Sequence, residues 1–287
     1  MTEPSTGRPP ATAPPVTAPA LTVPPVTQPI GELTSPLRGR RALVVGGDGD
    51  IGSAISAGLA ADGADVAVAG IEAAPAARLA GQLSTADNRT AGYRVDITDQ
   101  ASVDDLVGAV ASAWGGIDVL VNCAGMLRVN AAEDFDASDW RAVVDLNLTG
   151  AFLLTQAVGR NMIKNAGGGR IVHLSSVRGS IGLAIGGWAA YGASKAGLHL
   201  LIKQLATEWG RHQISVNGVA SGFVRAGVSA KALENEGFAA MVAARTPLGR
   251  VAEIQEVANT AVYLAGPRSS FITGQVLFVD GGLTASQ

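Results

Sequence analysis

Cysteine, histidine and charge are all scarce in this chain. Its 287 residues include one cysteine, Cys123, and three scattered histidines, His173, His199 and His212. A single cysteine excludes an internal disulfide framework and suits a reducing compartment. With so few soft or imidazole ligands there is no recognisable metal-ligand spacing, so no metal is expected. The net charge of −3 leaves no basic footprint for nucleic acid and no cationic cluster for a membrane surface. No apolar run approaches the roughly 18 residues that would span a bilayer. These absences predict a cytoplasmic protein with neither nucleic-acid nor membrane partners. Proline is scarce as well beyond the first stretch: of thirteen, all but Pro75, Pro247 and Pro267 precede Leu37. Residues 1–38, rich in Pro, Thr and Ala, are therefore predicted to be a disordered tail, either linker or docking segment.

The whole chain is 47% apolar, and what remains, residues 39–287, is long enough for one large core. Apolar runs alternate with amphipathic stretches. Strands are predicted at 42–45, 65–69, 90–95, 119–122, 170–174, 214–219 and 275–278. Helices are predicted at 51–61, 74–83, 100–114, 139–161, 188–210 and 255–265. Strands apolar throughout and separated by helices imply an α/β fold, a doubly wound, Rossmann-type parallel sheet of seven strands in a three-layer α/β/α arrangement. Ligands of such sheets bind at the carboxyl ends of the strands.

Two constellations fall at those ends. The first strand leads into Gly46-Gly47-Asp48-Gly49-Asp50-Ile51-Gly52, a glycine-rich turn that opens a helix. Such a turn lets backbone approach a pyrophosphate, whose charge the helix N-terminus favours. Further on, Ser175 and Ser176 end a strand, and Tyr191 and Lys195 stand four residues apart on the next helix, sharing one face. A phenol keeps its proton to about pH 10. An adjacent ammonium is expected to lower that value and make the phenol a proton-exchanging group.

Ser176 with Tyr191-Gly-Ala-Ser-Lys195, behind that glycine turn, resembles the signature of the short-chain dehydrogenase/reductase family, and the resemblance covers about residues 40–283. It implies an NAD(P)-dependent oxidoreductase that interconverts a secondary alcohol and a ketone, with Tyr191 as acid/base. Lys195 would tune the phenol and hold the ribose, Ser176 would bind the substrate oxygen, and Asn147 would support a proton-relay water. The implied cofactor contacts are Gly46, Gly49, Asp50, Ile51, Gly52, Asp96, Ile97, Asn122, Ala124, Gly125, Gly222 and Val224, besides Tyr191 and Lys195. The chain departs from the family pattern at Val45, Asp50, Ser221 and Ala226. At Gly70, where an acid would select NAD, it has no side chain. With Asp48, Asp50 and Glu72 nearby and no cation in the turn or just after Gly70, NAD is favoured over NADP.

The predicted small-molecule pocket combines Met126, Leu127, the loop 181–188 with Trp188, Phe223 and a lid at about 226–245, which points to a mainly apolar, possibly cyclic substrate. Arg128, Arg178 and Arg225 follow strand ends, where an arginine could hold a carboxylate or phosphate or equally be solvated or paired with a nearby acid; Arg178 is taken as the substrate contact to test. Wide apolar faces on the stretches 139–161 and 188–210, with Phe152, Leu153, Leu198, Leu201 and Leu205, predict a homo-oligomer, a tetramer by family habit. Two other readings stay open at this point: a non-redox enzyme of dehydratase or epimerase type, and a cofactor-weakened binding or regulatory protein on the same fold.

Overall fold

Seven runs of mostly β-branched and aliphatic residues pair into one parallel sheet in the order β3-β2-β1-β4-β5-β6-β7. The computed structural model describes residues 35–183 and 186–286. The predicted tail lies outside the described residues as far as residue 34, and so do Ala184 and Ile185 of the predicted pocket loop. Thr34–Gln287 forms one unit. It begins earlier than the predicted boundary at 39, because Leu37 is buried and its amide donates to the Asp62 carbonyl at 2.8 Å.

The first half runs β1 (Arg41–Val45), α1 (Asp50–Ala61), β2 (Asp65–Gly70), α2 (Ala73–Leu83), β3 (Thr90–Arg94), α3 (Gln100–Trp114) and β4 (Val119–Asn122). The second runs α4 (Ala137–Val144), α5 (Ala151–Asn165), β5 (Gly169–Ser176), α6 (Ala189–Trp209), β6 (Ile214–Ser221), α7 (Gly227–Leu233), α8 (Glu236–Arg245), α9 (Ile254–Ala265) and β7 (Val276–Val279). Alternate side chains of each strand feed two cores. Leu43, Val45, Ala67 and Leu120 meet α3, α5 and α6 through Val103, Leu154 and Ile202. Ala42, Val44, Val66 and Val121 meet α1, α2 and α9 through Ile55, Ala76 and Val257. A parallel sheet buried on both faces needs both layers of helix, and here it has them.

Three predicted elements differ. The stretch 139–161 is not one helix but α4 and α5 joined by a π-helical turn, Asp145–Gly150. The wider turn accommodates Gly150, where an added Cβ would press on Ile97 at 2.9 Å, and it brings Asn147 to the core side. The fifth strand, and with it the sixth, continues two residues beyond its predicted end, to Ser176 and Ser221, because the two pair along that length. The predicted lid is a helix pair, α7 and α8, with a small core of its own around Leu233, Val242 and Val251. Ala137–Asn165 also corrects the expectation about apolar runs: by length and composition it is apolar enough to cross a membrane, with half of its most apolar window buried inside the fold, as in a core helix.

The order of the strands reverses between β1 and β4. Their carboxyl ends, with those of β5 and β6, open on one cleft of about 250 Å³.

Candidate active site

The turn after β1 is built so that backbone, not side chain, faces the cleft. Gly46 has φ +67°, and a Cβ there would lie 2.8 Å from the Ala124 amide nitrogen. A Cβ on Gly52 would run into the Gly46 carbonyl oxygen. Gly49 caps α1, a helix of 12 residues whose first amides head the turn. This cradle, closed to any side chain and headed by N–H donors, fits the diphosphate of a dinucleotide. The departure at Asp50 has an explanation in the fold: its Oδ2 accepts the Gly227 amide at 2.8 Å, tying the glycine turn to the first residue of α7.

Across the cleft, β5 delivers two serines that do different work. Ser175 Oγ is engaged with His199 Nε2 at 2.8 Å, whereas Ser176 Oγ accepts the Arg178 amide at 3.2 Å and lines the cleft together with the Tyr191 phenol. Tyr191 is 9% exposed, its ring edge-on to Trp188 at 5.9 Å, and Lys195 Nζ sits 5.7 Å from the ring centroid. Lys195 is buried, and its ammonium donates to the Leu174 carbonyl at 3.0 Å. Burial pulls the Lys195 pKa down to about 8. The expected lowering of the tyrosine is not what this state has. Burial raises the Tyr191 pKa, opposed by the nearby Ser176 hydroxyl and by the charge of Arg178 rather than of Lys195. Desolvation outweighs both here, so the phenol is held in its protonated form.

The supporting amides are committed to the backbone. Asn147, 1% exposed, accepts the Met126 amide at 2.8 Å and donates to the Met126 carbonyl at 2.9 Å and Ser194 Oγ at 3.1 Å. A Cβ on Gly125 would lie 3.4 Å from Asn147 Oδ1 and 3.5 Å from Lys195 Nζ, so the three positions converge. Asn122 Oδ1 accepts the Ala124 amide at 3.1 Å and shapes the turn after β4. Asp96 accepts both Thr98 donors, at 2.9 and 2.6 Å, which holds its carboxyl below the usual range. Ile97 is buried in the core. Cys123 is half-buried at the cleft, and desolvation pushes its thiol up to about 12, which keeps it protonated and disfavours it as a nucleophile.

Of the residues singled out in the sequence, Gly46, Gly49, Asp50, Ile51, Gly52, Gly125, Ser176, Arg178, Trp188, Tyr191, Lys195, Gly222, Phe223 and Val224 line this one cleft. Asp96, Ile97, Asn122, Ala124 and Asn147 are not among its lining residues, and neither are Met126 and Leu127, which the sequence placed in the pocket. The arginines separate. Arg128 and Arg225 are exposed and face Asp139 at 3.8 Å and Glu253 at 3.7 Å. Arg178 is 7% exposed, donates to the Gly182 carbonyl at 2.8 Å, and lies 5.5 Å from the Phe223 ring centroid. Among the described residues no carboxylate pairs with it. Its burial was invisible in the sequence, where three arginines in similar settings look alike.

A family profile described as enoyl-(acyl carrier protein) reductase matches residues 47–284. The chain is 38% identical over 252 residues to a gluconate 5-dehydrogenase of Gluconobacter oxydans, covering 87% of this chain and 96% of that protein. It is also 38% identical over 248 residues to a D-threitol dehydrogenase of Mycolicibacterium smegmatis, covering 86% of this chain and 94% of the relative. A gluconate 5-dehydrogenase from Burkholderia cenocepacia, solved with NADP and tartrate, superposes with a TM-score of 0.82 at 34% identity, over 88% of this chain and 98% of the other.

Proposed function

This chain belongs to the short-chain dehydrogenase/reductase family and is an NAD(P)-dependent oxidoreductase acting between CH–OH and C=O, and from that premise we propose that Tyr191 is its acid/base. The observation that carries the reading is the convergence, in one cleft, of the Ser176 hydroxyl, the Tyr191 phenol and the Lys195 ammonium with the glycine cradle. When bound, the nicotinamide supplies or accepts the hydride at the substrate carbon. Ser176 orients the substrate oxygen by hydrogen bonding. Tyr191 donates its proton to that oxygen in reduction and takes the hydroxyl proton in oxidation. Lys195 stands ready to leave the Leu174 carbonyl for the ribose. Asn147, both of whose amide protons are donated to Met126 and Ser194, fixes the Met126 backbone, and we keep it as the support of a proton-relay water through the free lone pair of Oδ1. A phenol held protonated by burial favours reduction at neutral pH, and oxidation is expected to rise with pH as the phenol ionises.

The substrate we favour presents a mainly apolar body to Trp188, Phe223 and Leu174. A second reading, a hydroxy or oxo acid, is favoured by Arg178, whose buried guanidinium lacks a carboxylate partner among the described residues. NAD is the preferred dinucleotide in our reading, since the turn after β1 carries acids and no cation. We further propose a cytoplasmic homotetramer, supported by the exposed Trp140, Phe152 and Leu200 on the outer helices. Light scattering that gave a monomer at micromolar concentration would remove this last point.

Tyr191→Phe tests the central assignment. Turnover on a panel of ketones should fall by roughly 10²–10⁴-fold while dinucleotide affinity stays near the wild-type value. Near-native turnover in the variant would overturn it. On the same panel, Arg178→Ala should weaken acidic substrates alone if the second reading holds, and neither class if it does not.

A further inference from the structure

Dinucleotide-binding sheets of this type usually end the second strand in an acid that accepts the ribose hydroxyls of NAD. Here β2 ends at Gly70, which has no side chain to offer. The space is nevertheless filled. Asp48, from the turn after β1, reaches across so that its carboxylate carbon lies 2.7 Å, and its Oδ2 2.6 Å, from the point where a Cβ on Gly70 would stand. Any side chain at position 70 would collide with it. Asp48 is half-buried, and among the described residues its carboxylate accepts no hydrogen bond and joins no ion pair. It differs in this from Asp50, whose carboxylate is taken by the Gly227 amide. On the far side, Gly70 is in register with Arg94 of β3. Residues in register on parallel strands project to the same face, so an arginine also reaches this tip, and its charge helps hold the Asp96 carboxyl low.

We infer that Asp48 is the residue that selects the dinucleotide: its carboxylate is the displaced counterpart of the missing acid on β2, and Gly70 is the vacancy that admits it. The inference rests on the dinucleotide site proposed above and adds which side chain decides between NAD and NADP. Unpaired and fixed at the strand tip, the carboxylate offers acceptors to the two hydroxyls of an unmodified ribose. A 2′-phosphate would bring like charge against it instead. Arg94 is the competing cation: with Asp48 removed, it is the group left to receive that phosphate. The glycine at 70 and the acid at 48 therefore act as a pair, and neither is interpretable alone.

Calorimetric titration of the full chain with NAD and with NADP tests this directly. Wild-type protein should bind NAD more tightly, by about 10-fold or more, the scale of one lost charged contact. Asp48→Ser, with Asp48→Asn as the isosteric companion, should erase or invert that ratio. Gly70 lacks a left-handed φ, so it accepts a side chain once Asp48 is shortened. Asp48→Ser with Gly70→Asp should therefore restore the NAD preference. Asp48→Ser with Arg94→Ala should lose it without gaining NADP. An unchanged NAD/NADP ratio in both single variants, with both nucleotides still binding, overturns the role of Asp48 and leaves the dinucleotide site standing. Wild-type protein that bound neither nucleotide would overturn the site and this inference together.

Discussion

The two ends of the same sheet treat charge in opposite ways. At the amino ends of the strands, Arg41 grips Asp118 through two side-chain bonds of 2.7 Å, and Arg89 grips Asp65 at 2.8 and 2.6 Å. Each is a fork-to-carboxylate pair that ties the start of one strand to the start of its neighbour. At the carboxyl ends, Lys195 and Arg178 in the cleft and Asp48 beside the tip of β2 have no such partners among the described residues. Lys195 donates to a carbonyl, Arg178 to a carbonyl beside an aromatic ring, and Asp48 overhangs a glycine. A buried charge without a counter-ion costs stability. The concentration of such charges where the cleft opens, in Lys195 and Arg178, marks charges kept for a ligand, against charges kept for the fold; Arg170, half-buried at the start of β5 and bonded to Ser215 Oγ at 3.4 Å, is the exception at the other end. The exposed pairs Arg128–Asp139 and Arg225–Glu253 belong to neither class, being long and solvated.

Substitution separates the two classes. Lys195→Ala should lower turnover by roughly 10²–10³-fold and weaken dinucleotide binding as well, because one ammonium serves phenol and ribose. It should not lower the melting temperature, since a desolvated cation is removed. A variant that melted earlier yet kept its turnover would merge the two ends into one structural class.

The next effect concerns a buried base held neutral by its surroundings. His173, in the middle of β5, contacts Asn122 Nδ2 at 3.5 Å and Thr155 Oγ1 at 3.1 Å, and burial pulls its pKa down to about 3. The unfolded chain binds that proton near pH 6.5, so stability is complete above that value and is lost as pH falls towards 3. Denaturant unfolding across that window should show a decline on the order of a few kcal/mol. His173→Gln should flatten it. A slope unchanged by the substitution would shift the cause to the carboxylates.

The smallest effect sets one arginine against another. Arg41→Ala leaves Asp118 half-buried with only the backbone amide of position 41 at 2.9 Å and the Arg40 guanidinium at 4.0 Å, and should destabilise the fold by roughly 1–3 kcal/mol with dinucleotide affinity untouched. Arg178→Ala should leave stability level or raise it. Equal losses in both variants would erase the distinction between the ends.

The catalytic end was the more legible in the sequence. Tyr191 and Lys195 lie one helical turn apart, and Ser176 ends the strand before them, so neighbours in sequence are neighbours in space. The nucleotide end was harder to read, and its departures look like losses when taken singly. Asp50 becomes intelligible only through Gly227, 177 residues away, and Gly70 only through Asp48, since each depends on how two strand ends approach. The π-helical turn at Asp145–Gly150 was hidden for a related reason: it interrupts a run whose helical periodicity is otherwise continuous. The direction of the Tyr191 pKa was also out of reach, because desolvation depends on what packs over the phenol and not on the lysine four residues on.

The central claim is that hydride passes between a nicotinamide and a substrate carbon in this cleft. Reduced NAD deuterated at C4 is incubated with the ketone that the protein turns over fastest, and the alcohol is examined by mass spectrometry. One deuterium on the carbinol carbon is the expected result, together with its disappearance in Tyr191→Phe. Nucleotide binding without label in any product would contradict it, and would leave a binding or non-redox protein on this fold.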